Sequence, residues 1–148
     1  KAGVRDMEAR VSRLLPQAKI EGFLIQSMEK SLAEVLIGYR VDELVGPTVV
    51  LSAGGVLSEV YGDAAVRMAP VNHETALGMI EEVKGLAPIC GYRGMPKGDL
   101  QAIASAIVAL SQLAFIRRPQ LAEAEINPLI VRENGKGAVA ADGLIILK

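Results

Sequence analysis

The sequence predicts an α+β domain: an antiparallel-rich sheet with its helices packed on one face. Three observations carry this. Short β-branched or apolar runs stand before and after two helical stripes, without the strict strand–helix alternation of a parallel sheet. Asn134-Gly135 lies between two apolar runs, the strongest short-range hairpin signal. The chain has 148 residues, 51% of them apolar, enough to bury a real core in one domain.

The elements follow in order. Val4, Met7, Val11 and Leu14 repeat at helical spacing among charges, so residues 3–15 form an amphipathic helix stopped by Pro16. Gly22 to Met28 reads as a strand, Glu29-Lys30-Ser31 as a polar connector, and Ala33 to Arg40 as the next strand. After the break at Val45-Gly46-Pro47, Thr48 to Leu51 form a third. Ser52-Ala53-Gly54-Gly55 is a tight turn or a phosphate-sized loop. Val56 to Tyr61 and Ala65 to Met68 are further short strands. Asn72 caps a helix over residues 73–84, with Ala76, Leu77, Ile80 and Val83 on one face. Gly85 to Gly98 is a Gly/Pro-rich loop. Asp99 caps the most regular helix, whose stripe of Leu100, Ile103, Ile107, Leu110 and Leu113 is core. The Asn134-Gly135 hairpin and a last apolar strand, Leu144 to Leu147, complete the chain.

Composition excludes several classes. Sixteen basic residues against seventeen acidic leave a net charge of −1, which argues against a nucleic-acid partner. No apolar run approaches the roughly 20 residues of a membrane span. A single cysteine, Cys90, excludes an internal disulfide framework and fits a reducing, cytoplasmic setting. The first residue is Lys rather than Met and the chain opens inside a helical pattern, which predicts a piece of a longer protein.

The most informative stretch is Glu125-Ile126-Asn127-Pro128-Leu129, taken with Asp142. Residues i and i+2 of a strand point to one face, so Glu125 and Asn127 share a side. With Asn134-Gly135 as a two-residue turn, Glu133 faces Lys136, and counting outward sets Asn127 opposite Asp142. Opposed residues have Cβ atoms roughly 4.5–5.5 Å apart. A carboxylate and an amide oxygen at that distance suit a hard cation such as Mg²⁺, which shares its oxygen ligands with phosphates. A hairpin whose polar residues merely face solvent fits the same pattern. A turn one residue longer would send Asp142 to the other face.

Five motifs stand in order: Gln26-Ser27-Met28; Glu34-Val35-Leu36-Ile37-Gly38; Gly46-Pro47; Gly54-Gly55 with Glu59; and Glu125 to Leu129 with Asp142. From about residue 20 to the end, this series resembles an ATP-grasp domain. It is similar to the type found in NDP-forming acyl-CoA synthetases, including the ADP-forming acetyl-CoA synthetases; the β subunit of succinyl-CoA synthetase is a more distant relative. The resemblance implies that residues 1–148 are part of such a domain, a large-lobe fragment. The lobe with the phosphate-binding lysine, the CoA-binding domain and the domain bearing a phosphorylated histidine would lie outside it. It further implies that Gln26, Ser27 and Met28 lie along the adenine and that Glu34 hydrogen-bonds the ribose hydroxyls. Asn127 and Asp142 would hold Mg²⁺ against the phosphates of ATP or ADP, and Glu125 would contact the phosphohistidine loop. Gly54 and Gly55 are candidates for the phosphate side, since glycine lets backbone N–H groups approach an anion. Apolar sheet residues such as Ile25, Ile37 and Leu129 are candidates for the walls of the adenine slot.

The implied reaction is acyl carboxylate plus CoA plus ATP giving acyl-CoA, ADP and phosphate, through an acyl phosphate and a phosphohistidine. The implied partners are the nucleotide and a CoA-binding or phosphohistidine domain or subunit; a homo-oligomer stays open. Phosphoryl transfer asks a protein mainly for positioning and charge neutralisation, which these residue types supply. A second function class also fits: a synthetase-like, non-catalytic regulatory module of a bacterial protein lysine acetyltransferase. The intact Glu125, Asn127 and Asp142 favour the catalytic one. His73, the one histidine, starts a surface helix and is no phosphoryl acceptor. Cys90 reads as a small buried thiol. Arg67 and Arg93 are candidates for anion contacts.

Overall fold

A computed structural model describes residues 2–54, 62–118 and 120–148. Strands β1 (Ala33–Asp42), β2 (Gly46–Ala53), β3 (Ala64–Met68), β4 (Leu121–Val131), β5 (Ala138–Ala140) and β6 (Gly143–Leu147) form one antiparallel sheet. Its order is β3-β2-β1-β4-β5, with β6 also on β4. The predicted strand Val56 to Tyr61 lies outside the described residues, apart from its flanking Gly62-Asp63.

Helices α2 (His73–Glu82) and α3 (Leu100–Ser111) lie on one face of this sheet. Each begins where its cap predicts. Asn72 accepts the N–H of Thr75 at 2.8 Å and Asp99 accepts that of Ala102 at 3.0 Å. Their apolar faces meet Val35, Ile37, Val49, Leu51, Leu129 and Val131 in a core that includes Met79, Ile80, Ile103 and Ile107. Each such side chain contributes roughly 1.5–3 kcal/mol by leaving water. One polar group joins them: fully buried Ser111 accepts the N–H of Val71 at 3.1 Å and donates to the carbonyl of Val108 at 2.7 Å.

Two predicted elements differ. Residues 84–98 are more ordered than a loop, with 3₁₀ turns at Lys84–Cys90 and Tyr92–Gly94. The carboxylate of Asp63 starts the first of them by accepting the N–H groups of Lys84 and Gly85. Gly22 to Met28 is not a strand. A strand needs a ladder partner for its N–H and C=O groups, and this segment pairs with none of the described strands, the free edge at β5 included. Helix α1 (Ala2–Leu14) forms as predicted but buries none of its residues. No helix among the described residues is long and apolar enough to cross a membrane.

The hairpin register is as predicted. Leu129 faces Ala140 and Ile130 faces Val139; farther out, Glu125 faces Leu144 and Ile126 faces Gly143. The position sum never changes along this run, so β5 and β6 are two halves of one outer strand, parted at Ala141-Asp142. Of the two turn residues, Gly135 alone has a left-handed backbone, with φ of 77°. The turn is therefore not the primed type that puts both residues at positive φ, yet it closes on the same pair, with Lys136 N donating to the Glu133 carbonyl at 2.9 Å.

Candidate functional site

The sheet face away from α2 and α3 is open. Along β1 the core takes Val35, Ile37 and Tyr39, which leaves Glu34, Leu36 and Gly38 for the open side. Along β4 the core takes Val131 and Leu129, then Ile126 and Ala124. The step from 129 to 126 is three residues rather than two because the ladder with β1 shifts there. Val35 faces Leu129 but Ile37 faces Ile126, so Leu36 stands against both Asn127 and Pro128. This is a β-bulge, a device that re-aims a side chain. Strict alternation from Leu129 would aim Asn127 at the helices; the bulge puts it on the open side with Glu125. Proline, lacking an N–H, is tolerated at such a place, and the Pro128 carbonyl still accepts the N–H of Ala141 at 3.0 Å.

Glu125, Asn127 and Asp142 accordingly line one depression of about 350 Å³, with Gly143 and Leu144. Asn127 N donates to the Asp142 carbonyl at 3.2 Å, and Asp142 Oδ1 accepts the N–H of Gly143 at 2.8 Å. That second bond fixes one carboxylate oxygen. Among the described residues no three His, Cys, Asp or Glu side chains converge as a complete metal cage. The donor set here is one carboxylate, one amide oxygen and a half-buried second carboxylate. Oxygen donors of this number suit Mg²⁺, which usually takes one or two carboxylates and completes its shell with water and phosphate oxygens.

A second cleft, about 500 Å³, lies farther along the same hairpin. Gln26, Ser27, Met28, Glu29 and Glu34 line it together with Ile130, Val139, Ala140 and Ala141. Residues 26–28 and Glu34 therefore meet, although the former are not a strand. The predicted slot walls need correction. Ile37 and Leu129 are on the core side, at 0% and 3% exposure, and Ile25 stands free at 83%. The apolar walls are their alternates Ile130 and Val139. Gly54 touches this corner through its backbone: its N–H donates to the Glu34 carbonyl at 2.7 Å, and a Cβ there would stand 2.6 Å from that oxygen. Gly55 and Glu59 lie outside the described residues.

One contact was hidden from sequence reading. Glu29, predicted as part of a polar connector, meets Arg132 Nη2 at 2.6 Å through Oε2, and Ser27 Oγ donates to its Oε1 at 3.1 Å. The Arg132 guanidinium, then the Ser27 hydroxyl, hold the Glu29 carboxyl below its ordinary range. The two residues are 103 positions apart, and no local pattern couples them.

Other candidates lie apart from both clefts. His73 Nε2 is 2.6 Å from Gln101 Oε1 on the surface. Burial, with a smaller push from Glu81, raises the Cys90 thiol, which suits an inert thiol rather than a nucleophile. Arg67 is engaged by Glu82 at 2.6 Å, and Arg93 lies over the Tyr92 ring, 5.2 Å from its centroid.

Comparison with known proteins identifies relatives of the whole fold. A family model described as an ATP-grasp domain matches residues 1–147. The β subunit of ADP-forming acetate–CoA ligase II from Pyrococcus furiosus is 35% identical over 133 residues, covering 90% of this chain and 56% of that protein. ADP-forming acetate–CoA ligase I from Archaeoglobus fulgidus is 34% identical over 131 residues, covering 88% of this chain and 19% of that protein. The chain thus spans about half of the first relative and about a fifth of the second. Among solved structures, the dinucleotide-forming acetyl-coenzyme A synthetase 1 of Ca. Korarchaeum cryptofilum is 35% identical. Its complex with coenzyme A, Ca-AMPCP and HgCl⁺ aligns with a TM-score of 0.83 over 97% of this chain and 62% of that one. Its complex with coenzyme A and Mg-AMPPCP, with the phosphohistidine segment pointing towards the nucleotide site, aligns at 0.70 over 78% and 53%.

Proposed function

The chain belongs to the ATP-grasp domain family, and from that premise we propose that its open sheet face is the nucleotide-and-metal half of an ADP-forming acyl-CoA synthetase. The whole enzyme would join an acyl carboxylate to CoA with ATP, giving acyl-CoA, ADP and phosphate. One observation carries the proposal: both clefts sit on the same hairpin, the first lined by Gln26, Ser27, Met28 and Glu34, the second by Glu125, Asn127 and Asp142. The relatives' names, all ligases here, favour catalysis over a regulatory module.

In this reading the backbone of Gln26 to Met28 reads the edge of the base against Ile130 and Val139. The exposed Glu34 carboxylate accepts hydrogen bonds from the ribose hydroxyls. Asn127 Oδ1 and the Asp142 carboxylate would hold Mg²⁺, with Asp142 oriented by the N–H of Gly143. When bound, Mg²⁺ would neutralise charge on the phosphates. Gly54, whose N–H donates to the Glu34 carbonyl, would border the path from ribose to phosphates. Glu125 accepts a hydrogen bond from the imidazole of a phosphohistidine loop carried by another domain or subunit, and so aims that ring at the terminal phosphate. Residues 1–148 would form part of an ATP-grasp domain, with the phosphate-binding lysine, the CoA site and the histidine supplied by other parts of the enzyme. Use of nucleotide and CoA, with the free thiol of Cys90, supports a cytoplasmic setting for that enzyme.

Nucleotide binding to the full-length protein, with and without Mg²⁺, tests this for wild type and Asp142→Ala. The wild type binds more tightly with Mg²⁺, and the variant loses that gain. Unchanged Mg²⁺-dependent affinity in Asp142→Ala would sink the metal assignment.

A further inference from the structure

Residues 20–32 carry no regular secondary structure, yet they supply one wall of the larger cleft. Much of the segment is poorly held: Leu24, Ile25 and the cleft-lining Met28 are 84%, 83% and 96% exposed. Among the described residues, the polar contact between positions 20–31 and the sheet is the Glu29–Arg132 pair. Next along the chain, Leu32 N donates to the Val131 carbonyl at 2.8 Å and begins the run into β1.

The Arg132 end of the pair is firmly built. Its N–H donates to the Gly137 carbonyl at 3.2 Å, and its own carbonyl accepts the N–H of Asp99, the cap of α3, at 2.9 Å. The side chains of Arg132 and Glu29 are 37% and 21% exposed, so the pair is partly shielded. Ser27 Oγ then donates to the second Glu29 oxygen. A path of direct contacts therefore runs from the α3 cap through Arg132 and Glu29 to Ser27, one of the residues lining the cleft.

We propose that Arg132 is a positioning residue for the nucleotide: through Glu29 it clamps segment 26–29 against the hairpin and so sets nucleotide affinity without touching the nucleotide. The proposal rests on the nucleotide reading of the cleft. Without the clamp, each binding event has to order the segment first, which lowers the apparent affinity by the fraction of molecules already in place. Partly exposed ion pairs are modest, so the effect is a tuning one.

The test uses the full-length protein, the Mg²⁺ complex of a non-hydrolysable ATP analogue, and calorimetric titration. Arg132→Gln and Glu29→Gln each weaken binding by about fivefold, the upper end for a partly exposed pair. The charge-reversed double variant, Glu29→Arg with Arg132→Glu, recovers most of that loss. Melting temperatures stay near wild type, because the pair is partly exposed and lies outside the buried core. Three results overturn the clamp: wild-type affinity in both single variants, affinity lost in step with thermal stability, or a double variant no better than the singles. Failure of the underlying reading looks different: the wild type itself then binds no nucleotide.

Discussion

Asp99 Oδ2 accepts the main-chain N–H of Gly137 at 2.8 Å, across 38 positions of sequence. Its other oxygen caps α3 through Ala102. One buried carboxylate thus fastens the helix layer to the hairpin that carries Asp142. Asp99→Ala strands two N–H groups at once and is expected to cost roughly 2–3 kcal/mol. Urea unfolding measures it, with the midpoint falling at constant slope.

The same carboxylate gives a pH signature. The N–H of Gly137, then that of Ala102, hold Asp99 below its ordinary carboxyl range. For a depressed acid, the stabilisation is complete above the unfolded pKa, about 3.9, and is lost as pH falls through the folded value. The stability advantage of wild type over Asp99→Asn is therefore level at about pH 5–6 and closes below about pH 4. An advantage that stayed constant into that acid range would exclude Asp99 as its source.

Two glycines of opposite circumstance form a pair. At Gly54 a methyl group would meet the backbone of Glu34 at 2.6 Å. Gly54→Ala must push β1 and β2 apart and costs about 1–3 kcal/mol; by displacing Glu34 it also weakens nucleotide binding. At Gly78, inside α2, a methyl group meets nothing within 4 Å. Gly78→Ala is expected to stabilise by about 0.5–1 kcal/mol and to leave nucleotide affinity alone. Thermal melts with and without nucleotide separate the two effects.

Glu125 lines the same depression as Asn127 and Asp142, half-buried, and its proposed contact is with another domain. Glu125→Gln should therefore keep Mg²⁺-nucleotide affinity within about twofold, while acyl-CoA formation by the whole enzyme falls roughly 10²-fold or more. Equal losses in both would make Glu125 a metal ligand instead.

How far the sequence could be read depends on the range of each interaction. The hairpin was legible because a turn signal fixes every opposing pair once its count is known, and Asn127 falls opposite Asp142 by counting alone. Helix caps are equally local: Asn72 and Asp99 each cap through the N–H three residues on. Segment 22–28 misled because apolar, β-prone residues state a preference but do not reveal whether a neighbouring strand is available. The slot walls were assigned to the wrong alternates, Ile37 and Leu129, since apolar residues occur on both faces and burial decides between them. The bulge at Asn127-Pro128 is visible only as a shift against β1. The Glu29–Arg132 clamp joins residues that share no local pattern at all.

Carrying both clefts on one hairpin turns β4 into a ruler. At about 3.3 Å per residue, the span from Ile130 to Asn127 is roughly 10 Å. A ligand read at both ends must have a matching length, because neither end can slide along a hydrogen-bonded ladder. A ligand seated at Ile130 must therefore carry a phosphate about that far along before Mg²⁺ at Asn127 and Asp142 can add to its binding. Molecular length, and not base chemistry alone, then becomes a criterion by which this sheet selects what it holds.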